Sequence, residues 1–159
     1  MTKKGLQYYQ VKIWEMIGFI VNLSQMIEYN IANIVALNEL LGDLNNNANN
    51  SPIDDNAVVK KSQSLYETLS TKELGRLLGE STKKRIFESD LIAKIDEVRA
   101  SRNHYIHHFF KEDLFTKNFQ ERPRYLMPEI QKTIANMKNL NDELVGVFDH
   151  LKQEVKRIV

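Results

Sequence analysis

Apolar residues recur along the first forty positions with a helical period. Leu6, Ile13, Ile20, Ile27, Ile34 and Leu41 stand at seven-residue intervals. Tyr9, Met16, Leu23 and Leu37 make a second row, broken by Asn30, and Ile17 and Ile31 lie on a third. Rows at this spacing form adjacent stripes of one helix, and together they give an apolar face too wide for one neighbouring helix to cover. The pattern predicts a helix over about residues 5–42, roughly 55 Å long at about 1.5 Å per residue. Gly18 lies inside it and marks a close helix crossing or a kink. Gly42 and the tract DLNNNANNSPIDDN end it, because Asn, Asp, Ser and Pro favour turns.

A second helix is predicted over about 56–69 (NAVVKKSQSLYETL). Ser70, Thr71, Lys72 and Glu73 then match a capping box, in which the Ser accepts from the backbone and the Glu reaches back. This opens a short helix with Leu74, Leu77 and Leu78 that stops near Gly79, and Lys83, Lys84 and Arg85 follow as a basic cluster. A third helix starts at Ser89, a favourable N-cap, and runs to about Lys111. Its apolar positions are Leu91, Ile92, Ile95, Val98, Tyr105, Ile106 and Phe109. The polar connector KEDLFTKNFQERPR leads to a last helix over about 128–158.

That last helix has the cleanest pattern. Ile130, Met137, Leu144, Leu151 and Ile158 repeat by seven, Ile134, Phe148 and Val155 interleave with them, and Asn141 takes the remaining interleaved site. Such a seam suits either an ordinary bundle helix with Asn141 at a wet edge, the reading we favour, or an intermolecular zipper. No segment alternates with the period of a strand. The expected fold is therefore all-α: one domain over residues 1–159, four to five helices, two of them long, with the third helix packed between or across the long pair.

Composition removes several functional classes. Lys and Arg number 22 against 21 Asp and Glu, a formal charge of +1. That argues against stoichiometric coating of nucleic acid and leaves room for an enzyme that meets a few phosphates. Cysteine is absent, which excludes disulfides, thiolate metal sites and Cys nucleophiles. No apolar run reaches the roughly 18 residues that span a bilayer, and MTKKGLQYYQ leads into a patterned helix instead of a signal peptide, so a cytoplasmic protein is expected.

The informative chemistry lies in ASRNHYIHHFFKED. Three of the four histidines, His104, His107 and His108, fall in it, whereas His150 stands alone in the last helix as a surface residue. Two or three imidazoles can hold a divalent ion, but no Asp or Glu lies between residues 98 and 111 to complete a shell, so no metal is expected. The same residues can also pack with Tyr105, Phe109 and Phe110 at a bundle end. A third reading is acid–base chemistry on a phosphodiester. Arg102 and His107 are spaced R-x-x-x-x-H, with Asn103 directly after the Arg. Imidazole moves protons near neutral pH, and the planar guanidinium fork suits the charge that builds on phosphoryl oxygens. On a regular helix, however, five residues at about 100° each leave the pair about 140° apart. The Arg has to wrap around, or two copies of the helix have to meet.

The segment ASRNHYIHHFF resembles the signature of the HEPN superfamily, in which an Arg followed by a polar residue precedes a His by four to six positions near a helix end. ELGRLLGE, ESDLIAKIDEVRASRN and the long first helix WEMIGFIVNLSQMIEYNIANIV resemble the helical run leading into it. The resemblance implies a helical bundle that forms a homodimer with its two motifs facing each other. It also implies a metal-independent endoribonuclease without a cofactor, of the kind found in toxin–antitoxin and abortive-infection defence, with an antitoxin or regulatory protein as a further partner. Carried over by position, Arg102 stabilises phosphate charge, His107 is the general acid and base, and Asn103 orients His107 or meets the RNA. His104, His108 and Lys111 are candidates for substrate contact. Some toxins of the family carry a modifiable Tyr two positions after the motif His. Phe109 stands there, so that control is not expected. The competing reading is a non-catalytic module of the same fold that binds nucleotide or protein.

Overall fold

A computed structural model describes residues 3–47, 55–70, 76, 79, 86–109 and 123–158. Among these, all but 86–88 are helical and none forms a strand, so the fold is all-α as the periodicities require. The elements are α1 (Lys3–Asn47), α2 (Asp55–Ser70), α3 (Ser89–Asn103), a π-turn (His104–His108) and α4 (Pro123–Ile158).

The two long helices exceed their expected bounds. α1 holds 45 residues, about 68 Å, and runs through Gly42 to Asn47. A Cβ added at Gly18 or Gly42 meets nothing within 4 Å, and both glycines are exposed. Gly18 is therefore not at a close crossing, and Gly42 does not stop the helix. Each is a helical residue that happens to lack a side chain. α4 starts at Pro123, not Pro128. Proline suits a first helical position, where the missing N–H is unused, whereas Pro128 sits inside the helix and deprives the Arg124 carbonyl of its usual donor.

The shorter elements shift by a residue or so. Ser70 is the last residue of α2; the rest of the expected capping box, Thr71–Glu73, and Leu74, Leu77, Leu78, Lys83–Arg85 and Lys111 lie outside the described residues, while Arg76 and Gly79 are helical. Ser89 is the first residue of α3. The Ile92 N–H donates to the Glu88 carbonyl at 3.0 Å, so Glu88 takes the cap position expected for Ser89.

The chain divides into two compact units, Met1–Met26 with Ala93–Leu140, and Ile27–Ile92 with Asn141–Val159. The first unit buries Ile13, Ile17, Ile20 and Leu23 of α1, Ile95 and Val98 of α3, Tyr105 and Phe109 beyond it, and Ile130, Met137 and Leu140 of α4. Asn136 of α4 donates to Glu97 of α3 at 3.5 Å, and the Lys138 ammonium lies 5.0 Å above the Phe19 ring. α3 therefore reaches α4, and α4 reaches α1. The outer side of α1 in this unit is apolar as well. Tyr8, Val11, Trp14, Phe19 and Met26 are all exposed, Trp14 by 54%.

The second unit buries Ile27, Ile31, Ile34, Val35, Leu40, Leu41 and Leu44 of α1 with Leu69, Phe87, Leu91 and Leu144. α2 lies against α1 through an edge-on Tyr29–Tyr66 contact at 5.4 Å and a Lys61–Asp43 ion pair. Two polar residues also enter this core, and they are the ones that break the apolar rows. Asn30 and Asn141 are 8% and 7% exposed, and the Asn30 side-chain amide donates to Asn141 Oδ1 at 2.9 Å. Asn141 is therefore not at a wet edge. Each asparagine is tolerated inside because the other satisfies it.

Candidate active site

The candidate residues sit where α3 gives way to the π-turn, inside the first unit. Leu91, Ile95 and Val98 are the buried row of α3, at spacings of four and three. The next position of that row, four residues after Val98, is Arg102. A guanidinium thus occupies a site that helical geometry assigns to the core. Its side chain is half-buried, with Nε shielded from solvent. Arg102 Nη1 donates to Asn103 Oδ1 at 3.1 Å. That bond ties one end of the planar fork to Asn103, the residue expected to orient His107 or meet the RNA. The structure therefore joins Asn103 to Arg102.

Past Asn103 the helix widens. The Phe109 N–H donates to the His104 carbonyl, five residues back, and His104–His108 form the π-turn. The expected regular α-helix to Lys111 is interrupted here. Tyr105 and Phe109 point inward, with ring centroids 5.6 Å apart, and Phe109 is only 1% exposed. Phe109, two positions after His107, is thus a core residue. His104 lies edge-on to both rings, at 5.2 Å from Tyr105 and 6.4 Å from Phe109, while its residue stays exposed. His107 and His108 are exposed as well.

Arg102, a partly shielded cation tied to Asn103, stands at the end of α3, and the solvent-facing imidazoles of His104, His107 and His108 follow on the π-turn. Cation and proton carrier are the two parts that phosphodiester chemistry needs. Among the described residues, no three His, Cys, Asp or Glu side chains come together as metal ligands. His150 is exposed on α4, in the second unit. No helix among the described residues is long and apolar enough to cross a membrane.

The sequence carried one signal for this site beyond the R-x-x-x-x-H spacing. Arg102 fills a gap in the row Leu91, Ile95, Val98, and a charge at a core register position is a pointer to function by itself. The π-turn had no such signal, since no residue type in HYIHH demands one. No protein-family model matches the chain, and no curated protein and no solved structure matches it.

Proposed function

We propose that this chain is a metal-independent endoribonuclease of HEPN type, cutting RNA through the ribose 2′-hydroxyl next to the scissile phosphate. The observation that supports it best is the end of α3, where the guanidinium of Arg102, tied to Asn103, is followed by the exposed imidazole of His107. In this reading His107 takes the proton from the 2′-hydroxyl, and that oxygen attacks phosphorus. The bond to the 5′-oxygen breaks, and the leaving oxygen receives a proton from an imidazolium. The products are a 2′,3′-cyclic phosphate and a 5′-hydroxyl. Arg102 donates to the non-bridging oxygens as their charge grows. Asn103 acts on the chemistry through Arg102, by holding its fork. His104 and His108, exposed on the same turn, meet the RNA backbone beside the reacting phosphate.

Self-association belongs to the proposal. α1 has a buried apolar face and an exposed one, and five exposed side chains of this size, the aromatic ones about 150–250 Å² each in full, leave several hundred Å² uncovered. A second copy of the chain is the occupant we assign to that face, because it offers the same near-neutral apolar surface in return. The dimer carries two copies of the Arg102–His107 motif. A role in toxin–antitoxin or abortive-infection defence in the cytoplasm, with a regulatory protein as partner, completes the reading.

The test is cleavage of RNA by purified protein in EDTA. Arg102→Ala and His107→Ala should each lose about 10²–10⁴ in rate with helicity unchanged. Asn103→Ala should lose less, and His104→Ala and His108→Ala least. Equal dependence on His104, His107 and His108, together with loss of activity in EDTA, would replace this mechanism by a metal-assisted one.

A further inference from the structure

A regular α-helix would set Arg102 and His107 about 140° apart. The chain does not continue as one. The bond from the Phe109 N–H to the His104 carbonyl closes over five residues instead of four, so the turn holds one more residue than an α-turn. Residues five apart, badly placed on an α-helix, thereby move toward a common face. The pair Arg102 and His107 has this spacing, and all but its first members lie within the widened segment.

Buried residues stand on both sides of the widening, Ile95 and Val98 in α3 before it and Tyr105 and Phe109 within and just after it. Such π-turns recur where function requires a side chain to be re-aimed.

We infer that the π-turn His104–His108 is the positioning element of the candidate site: it swings His107 toward the side of the helix that carries Arg102. Its catalytic meaning rests on the nuclease reading, whereas its geometry rests on the backbone alone. The turn acts through His107 and needs no contact of its own with RNA.

Two one-residue deletions separate positioning from bulk structure. Removing Ile106 takes the extra residue from between the pair. The restored α-helix then holds Arg and His at four-residue spacing, about 40° apart. Removing His108 takes the extra residue from outside the pair, and the restored α-helix leaves them about 140° apart. Both deletions leave Phe109 at its place in the core. Nuclear Overhauser contacts between the Arg102 side chain and the His107 ring should be present in wild type and in the Ile106 deletion, and missing in the His108 deletion. In cleavage, the His108 deletion should lose about 10²-fold or more in kcat, the size expected of a misplaced reacting group. The Ile106 deletion should retain activity, and His108→Ala, which keeps the turn, should lose far less than the His108 deletion. Absence of the Arg102–His107 contacts from folded wild-type protein overturns the inference even if both deletions unfold. So does their persistence in the His108 deletion, or equal loss of kcat in the two. A wild-type protein that shows the contacts and cuts no RNA sinks the nuclease reading and leaves the geometric inference standing.

Discussion

Removing one asparagine of the buried pair should cost more than removing both. Asn30→Leu leaves the Asn141 carbonyl oxygen in the core without its donor, and Asn141→Leu strands the Asn30 amide in the same way. A buried polar group left unsatisfied costs about 1–3 kcal/mol. Leu is also larger than Asn, and overpacking adds to the singles and the double alike, so it largely cancels from the coupling between them. In the double variant both polar groups are gone, and the two leucines extend apolar rows that already contain Leu23 and Leu37 on one helix and Ile134 and Phe148 on the other. Replacing both partners of a buried hydrogen bond by apolar groups is close to neutral or stabilising. The assay is urea unfolding followed by helical circular dichroism for wild type, both singles and the double. Each single should lose about 1–3 kcal/mol, and the double should cost less than either single, a coupling of about 2–6 kcal/mol if it is neutral. If the double loses the sum of the singles, the two amides do not satisfy each other and the packing described for this unit is wrong. The double has a second expected defect. Seven-residue rows permit slippage by one heptad, and a buried polar pair forbids it, so its thermal transition should broaden as register becomes less unique.

Gly18→Ala, Gly42→Ala and Gly146→Ala should each add about 0.4–1 kcal/mol to unfolding stability, and the gains should add because the sites are far apart in the chain. A loss at any of them would show that the helix there is not continuous. Trp14, the only tryptophan, reports on the exposed face of α1. Its emission should shift to the blue and resist acrylamide as concentration rises into the micromolar range, and light scattering should give twice the chain mass of 18.6 kDa. Trp14→Glu should abolish both changes; a chain-mass particle at all concentrations would refute the second copy on this face.

The helical fold could be read from the rows alone. Of the two rows, Ile13, Ile20, Ile27, Ile34 and Leu41, and Ile130, Met137 and Leu144, are buried, while Leu6, Leu151 and Ile158 near the helix ends are half-buried. The ends of the helices were less legible. Gly42 and Pro128 are poor helix residues by local preference, yet α1 and α4 run through both, because neighbouring packing, by buried Leu40, Leu41 and Leu44 about Gly42 and by half-buried Leu126 and Met127 and buried Ile130 about Pro128, outweighs about 1–3 kcal/mol of local cost. Asn141 shows a further limit. Its place in the seam was plain, but a buried amide needs a partner, and that partner is 111 positions away in the chain. At the site, the R-x-x-x-x-H spacing and the nearby imidazoles were visible, and the core position of Arg102 was there to be found. The π-turn was not, since no residue type in HYIHH demands one and the buried row Val98, Tyr105 and Phe109 keeps the spacing of a regular α-helix.

Whether Arg102 and His107 cut RNA without a metal ion is decided by the ends of the RNA fragments. Purified protein should be incubated with RNA in EDTA and the new termini analysed by mass. Attack by the neighbouring 2′-hydroxyl yields a 2′,3′-cyclic phosphate on one fragment and a 5′-hydroxyl on the other, and His107→Ala should remove both. Fragments ending in a 3′-hydroxyl and a 5′-phosphate, cleavage that stops in EDTA, or RNA left intact by the wild-type protein would contradict the proposal.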